Sequence, residues 1–270
     1  MRRLINNYLS QLKGQDVALL FSGGLDSLSL LFSCLDLGIK PHLYTFKLNG
    51  NDSTDYITSK RLAEELDLEF TCITMPCETN TLVVDVFHIV RDFKVRKKTQ
   101  IQCIHPFLYI ADVVSENIIL TGLCADDLYG SSRKMQELGR KDSRLFYEKR
   151  LEKHQDLTSS SYIFIKELFE SKGKTFIAPY KDSEDLVEFI LSKNLHELHS
   201  PKQKNVMYQD YKLELDKYSL YRRNSNLQVN SGLREFHDKL LNTELNVCNY
   251  KSVTGIYNTM YRDLFGGLHV

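Results

Sequence analysis

Neither charge is in excess in this chain, no apolar run is long enough to cross a bilayer, and no Cys-x-x-Cys pair occurs. Across 270 residues, 35 lysines and arginines balance 35 aspartates and glutamates, so no global field draws the protein to a polyanion or a membrane surface. The start, Met1-Arg2-Arg3-Leu4-Ile5-Asn6-Asn7, is too polar for a secretion signal. Without such a signal the six cysteines (Cys34, Cys72, Cys77, Cys103, Cys124 and Cys248) read as reduced cytoplasmic thiols, mostly small core residues. The spacing of Cys72, Cys77 and Cys103 gives a zinc or cluster site little support. Glycine (13) and proline (5) are too few for disorder, and no repeat or low-complexity tract appears. Gly-Lys-Ser/Thr is absent after the first strand, which excludes a Walker A loop. So is Gly-x-Gly-x-x-Gly, which disfavours a dinucleotide site.

What is present is a strand running straight into a glycine turn: Val17-Ala18-Leu19-Leu20-Phe21, then Ser22-Gly23-Gly24-Leu25-Asp26-Ser27. A helix with Leu28, Leu30, Leu31 and Leu35 on its apolar positions follows at once. Paired glycines let backbone approach a ligand with no Cβ in the way. The helix start adds unpaired N–H groups and a positive dipole end, which suits phosphate or pyrophosphate. Ser22 and Ser27 add hydroxyls. Asp26 has the wrong sign for direct phosphate contact and implies a bridging cation, Mg²⁺. Taken alone, a Gly-Gly turn capped by Ser22 or Asp26 is common. The whole hexapeptide between strand and helix is not.

Further strands are expected at 42–46, 69–74 and 117–121, with helices at 3–13, 27–37, 55–66, 81–93 and 103–115. This alternation predicts an α/β fold with a doubly wound parallel sheet, its ligands beyond the carboxyl ends of the strands. From about 130 the β pattern gives way to charged helical segments near 133–155, 158–172, 183–193, 203–218, 232–242 and 251–264. The expected division is a nucleotide-binding core over 1–132 and a helical region over 133–270 packed on it.

The fourth strand leads into Thr121-Gly122-Leu123-Cys124-Ala125-Asp126-Asp127-Leu128-Tyr129-Gly130. Paired aspartates after a strand are usually a cap and a first-turn acid. Beside a phosphate loop, Asp26 and Asp126 can converge as metal ligands on one triphosphate. The first loop resembles the pyrophosphate loop of the ATP pyrophosphatase families, which cleave ATP between its α and β phosphates. The pair of motifs together resembles the asparagine synthetase family, which joins Ser-Gly-Gly-x-Asp-Ser to Thr-Gly-x-Gly-(Ser/Ala)-Asp-Glu-x-Phe-Gly. Fainter likeness continues in Ile177-Ala178-Pro179-Tyr180-Lys181-Asp182, Leu186-Val187-Glu188-Phe189-Ile190-Leu191 and Lys204-Asn205-Val206-Met207. Leu227-Gln228-Val229-Asn230-Ser231-Gly232-Leu233 is similar to a stretch of the β-lactam synthetase branch.

The resemblance implies an enzyme that adenylates a small-molecule or peptide carboxylate with ATP, releases pyrophosphate, and passes the acyl group to an amine or ammonia. Ser22, Gly23, Gly24, Leu25, Asp26, Ser27 and Gly122 would bind the nucleotide, with adenine near Phe46, Lys47 and Leu48. Asp26 and Asp126 would ligate Mg²⁺, and Lys204, Arg222 and Arg223 are the cationic catalytic candidates. Departures are visible too. The family's glutaminase domain has no room before Met1-Arg2, so nitrogen is expected from a separate glutaminase or a free amine. Leu123 stands where the family has an acid or tyrosine, and Asn224 where it has a lysine. The basic stretch Arg91, Lys94, Arg96, Lys97 and Lys98 reads first as a solvated loop, and a nucleic-acid partner is disfavoured. Two other readings stay open: a nucleobase- or tRNA-modifying relative, and a non-catalytic ATP-binding partner.

Overall fold

The computed structural model describes residues 1–222 and 227–266. Five strands, β1 (Val17–Leu20), β2 (His42–Leu48), β3 (Phe70–Met75), β4 (Ile118–Thr121) and β5 (Thr175–Ile177), form one sheet in the order β3-β2-β1-β4-β5. β1 pairs in parallel with β2 and β4, and β4 in parallel with β5. The chain therefore builds outward from β1 to one side, then returns to build outward on the other. β1 and β4 flank the point where the strand order reverses, which is where an open α/β sheet leaves a crevice. All four residues of β1 and of β4 are buried, as their unbroken apolar runs require in a parallel sheet covered on both faces.

The chain divides into two compact units, and β2 and β3 each begin in the first and end in the second. The first unit comprises Met1–Thr45, Asp55–Thr71 and Val114–Asn224. Its helices begin with α1 (Arg2–Leu9), α2 (Leu25–Asp36) and most of α3 (Thr54–Glu65). The next two in chain order, α4 (Thr79–Phe93) and α5 (Lys98–Val113), belong to the second unit. The first unit resumes with α6 (Ala125–Tyr129), α7 (Arg133–Lys141), α8 (Ser143–Gln155), α9 (Tyr162–Glu170), α10 (Pro179–Asp182) and α11 (Glu184–Leu191). After them lie α12 (Leu195–His199), α13 (Asn205–Asp210) and α14 (Lys212–Lys217).

Helix α2 is buried without a break from Ser27 through Cys34, wider than the apolar stripe its sequence suggests. Its serines are tolerated there because Ser29 and Ser33 share hydrogen bonds of 2.6 Å with the hydroxyls of Tyr180 and Tyr211. At the amino ends of the strands His42 bridges Glu116 at 2.6 Å and Thr71 at 2.8 Å. The segment 133–155, expected as one helix, is two, because Asp142 leaves the helical region (φ −149°) and its carboxylate caps α8 through the Leu145 N–H. The segment 203–218 likewise divides at Tyr211. β5, which the sequence pattern does not mark, adds three residues to the far side of β4.

The second unit comprises Phe46–Thr54, Cys72–Val113 and Ser225–Val270. It holds α4, α5, α15 (Leu227–Asn230), α16 (Leu233–Asp238) and α17 (Val253–Phe265). A polar chain runs through its interior. The Tyr257 hydroxyl meets His237 Nδ1 at 2.6 Å, His237 Nε2 meets His105 Nδ1 at 3.0 Å, and His105 Nε2 meets Asp85 at 2.9 Å. Tyr109 donates to the same carboxylate oxygen at 2.6 Å. Each group can donate toward Asp85, so buried polar atoms on α4, α5, α16 and α17 are satisfied in series. Arg96 lies over the Tyr261 ring and Lys98 pairs with Asp238, which fastens part of the basic stretch inside this unit. Among the described residues no disulfide joins the cysteines, and no helix is long and apolar enough to cross a membrane.

Candidate active site

The turn after β1 is set by its own side chains. Gly23 adopts φ +65°, and a Cβ there would lie 3.0 Å from Thr58 Cγ2 of α3, so both backbone and space call for glycine. Ser22 Oγ accepts from the Gly24 N–H at 3.3 Å and lies 3.4 Å from Ser27 Oγ, which donates to the Gly24 carbonyl at 3.0 Å. Gly24 begins α2 with no side chain capping it. Leu25 is buried and anchors the loop in the core. Arg222 holds the loop from behind: its Nη2 donates to the Ser22 carbonyl at 2.8 Å and to Asp55 Oδ1 at 2.6 Å. Asp55, in the first turn of α3, thus ties that helix to the same brace.

The second turn packs directly on the first. A Cβ on Gly122 would meet Asp26 Cβ at 2.9 Å and the Ser27 nitrogen at 3.1 Å. Thr121 Oγ1 accepts from the Leu123 N–H. Cys124, in the place of the motif's second glycine, takes a glycine-like φ of +71°. Burial pushes its thiol up to about 12, which disfavours the thiolate that a nucleophile needs. The two aspartates of α6 then part company. Asp127 accepts from Lys153 at 3.1 Å and from the Ser159 and Ser160 hydroxyls at 2.7 Å each. Asp126 turns the other way.

Three groups converge there. Lys204 Nζ lies 2.6 Å from both carboxylate oxygens of Asp26 and 2.7 Å from Asp126 Oδ1. The lysine side chain is 1% exposed, Asp26 20% and Asp126 50%, so the cluster opens on the Asp126 side. Burial pushes Asp26 up to about 6, against the pull of Lys204. Burial also works against the lysine's charge, but Asp126 and Asp26 outweigh it and hold the ammonium above its ordinary value. Lys204 sits at the start of α13 in a left-handed conformation, φ +55°.

His199, which the sequence does not single out, stands behind it. Its Nε2–H donates to the Tyr129 carbonyl at 2.7 Å, which leaves Nδ1 facing the Lys204 N–H at 3.5 Å. Burial lowers its pKa and keeps it neutral. The Tyr129 ring lies 5.6 Å from the ammonium. Only the aromatic in the motif hinted at Tyr129, and nothing in the sequence spacing distinguished His199.

The residues expected around adenine, Phe46, Lys47 and Leu48, form the last part of β2. Phe46 is buried in the part of β2 that belongs to the second unit, where Lys47 pairs with Asp52 at 2.6 Å. In that unit Gly232, φ +77°, is pressed against Asn51, whose Nδ2 donates to the Ser231 carbonyl at 3.4 Å. Arg223 and Asn224 lie outside the described residues.

Both loops, at the tips of β1 and β4, and the lysine between their carboxylates fall inside one family match. The model of the asparagine synthase family matches residues 10–241. The chain belongs to that family. The matched span is its synthetase part, and the family's enzymes are ATP-dependent and of the ATP pyrophosphatase type, binding ATP with Mg²⁺. No curated protein matches. A solved structure, the predicted subunit of a tRNA methyltransferase from Methanocaldococcus jannaschii DSM, is similar at 22% identity over 66% of this chain and 75% of that one, with a TM-score of 0.36.

The donor set of this asparagine synthase-type site suits a hard divalent ion. Asp26 and Asp126 already direct three oxygens at one cationic nitrogen, within 2.7 Å. Mg²⁺ is commonly held by one or two carboxylates, with phosphates and water completing its shell.

Proposed function

We propose that this protein is an AMP- and pyrophosphate-forming ligase that adenylates a carboxylate and transfers the acyl group to an amine or ammonia. The observation that carries the reading is the meeting of Asp26, Asp126 and Lys204 at the strand-order reversal, beside a glycine turn built for phosphate.

In the first step a substrate carboxylate oxygen attacks the α-phosphorus, and the bond to the β-phosphate bridging oxygen breaks. Pyrophosphate leaves with that electron pair, and the N–H groups and hydroxyls of the turn from Ser22 to Ser27 bind it. In the second step the amine nitrogen attacks the acyl carbon, AMP departs, and the nitrogen loses its proton. Asp26 and Asp126 would hold Mg²⁺, which supplies charge neutralisation at the phosphates when bound. Lys204 is the cation available to the reacting phosphate, and Arg222 fixes the loop in place. Leu123 cannot accept the amine's proton, so the nucleophile enters as the free base or another acceptor serves.

Incubation with ATP, Mg²⁺ and a panel of carboxylic acids and amines tests this. AMP and pyrophosphate are the expected products, and Asp26→Asn and Asp126→Asn are each expected to slow their release by about a hundredfold or more with circular dichroism unchanged. ADP as the sole nucleotide product, or full turnover in either variant, would refute it.

A further inference from the structure

Lys204 spends its whole donor capacity on the two carboxylates. An ammonium has three N–H groups, and the three oxygens within 2.7 Å, two from Asp26 and one from Asp126, account for all of them. Those are the oxygens a divalent ion would need. An ion bound at a Mg–O distance of about 2 Å and an ammonium hydrogen-bonded to the same atoms exclude each other by contact and by charge. Access is not the obstacle, since Asp126 is half exposed. Among the described residues no group of three or more His, Cys, Asp or Glu side chains could hold a metal. The lysine is set into this position by the fold: it is buried, begins α13 from a left-handed backbone, and is backed by His199 and Tyr129.

We propose that Lys204 is the resident cation of this site. In the nucleotide-free protein its ammonium occupies the carboxylate pair and keeps divalent metal out. Metal enters only together with the triphosphate, whose oxygens give the metal its missing ligands and give Lys204 new partners. The lysine is then delivered to the phosphates at the moment the metal takes its place. This rests on reading the site as a metal–nucleotide site, but it concerns the order of binding and not the reaction.

Mn²⁺ binding to the full chain, followed by the electron paramagnetic resonance of the free ion, tests it without turnover. Without nucleotide, wild-type protein is expected to bind Mn²⁺ no better than millimolar. Lys204→Met and Lys204→Gln are each expected to gain one site per chain, tighter by about ten- to a hundredfold, which Asp126→Asn then removes. Addition of a non-hydrolysable ATP analogue should bring Mn²⁺ onto wild-type protein. The melting temperature of Lys204→Met should rise with Mg²⁺ alone, whereas that of wild type should not. Tight Mn²⁺ binding to nucleotide-free wild type would overturn the proposal whatever the variants do. Folded Lys204→Met and Lys204→Gln that bind no more tightly than wild type would also overturn it. A protein that makes ADP, or nothing, would sink the ligase reading and leave these binding results standing.

Discussion

At Gly122 the neighbouring loop leaves no room for a side chain, because Asp26 Cβ and the Ser27 nitrogen occupy the place a Cβ would take. The obstruction is largely backbone, which cannot swing aside as a flexible side chain would. Gly122→Ala is therefore expected to cost about 1–3 kcal/mol and to weaken nucleotide binding by moving Asp26. The urea midpoint and titration with a fluorescent ATP analogue check both parts, and an unchanged midpoint would contradict the packing. Residues of this kind differ in how far sequence discloses them. Ser22 to Ser27 are legible because a turn between strand and helix has local chemistry. Asp126 is legible because its loop repeats that arrangement after β4. Lys204 lies far along the chain and is reached only through the family resemblance, since a single lysine has no local signature. Cys124 shows the converse: its left-handed backbone could be inferred only by noticing which glycine it replaces. Asp127 looks like Asp126 in sequence, and only its hydroxyl and lysine partners separate the two.

Among the helices, α8 and α11 are joined through one side chain. Arg150 of α8 is fully buried, lies over the Phe146 ring, and donates to the carbonyls of Ile190 and Lys193 at 2.8 and 2.9 Å. These carbonyls belong to the end of α11, where a helix leaves acceptors unpaired. Removing the guanidinium takes a donor from both, although Ile190 keeps the Lys193 N–H, and opens a cavity, so Arg150→Ala is expected to destabilise by about 3 kcal/mol or more. Equilibrium urea unfolding measures this, and a loss below about 1 kcal/mol would show that the end of α11 finds other donors. An arginine in a charged helix reads as solvent-facing, so this joint is invisible in the sequence. The strands β1 to β4 are visible because apolar runs between glycine and polar breaks can hardly be anything else. β5 is three residues long, too short to show a period. Asp142 is a helix start inside a helical pattern, and only its capping bond reveals the division.

Among the described residues, burial disfavours the charged form of three histidines. His237, His199 and His154 all have their pKa lowered, His237 well below 6.5. Each binds its proton more readily when unfolded, so acid favours the unfolded chain as pH falls below 6.5. Protonating His237 would also reverse its bond with Tyr257, whose hydroxyl would then have to accept from Nδ1. The melting temperature is expected to decline from pH 7 toward 5, and the slope to lessen in His237→Gln. A flat profile over that range would contradict the assignment of these side chains as buried neutral groups. The first unit is stitched from three separated stretches of chain, and this has a consequence for how the protein is born. On the ribosome β1 must wait for β4 before its second edge is covered, and contacts so distant in sequence form slowly. The two carboxylates emerge long before Lys204, the cation that neutralises them. A nascent chain thus passes through a stage with acidic groups facing each other uncompensated, and the lysine that locks these two pieces together is synthesised after both of them.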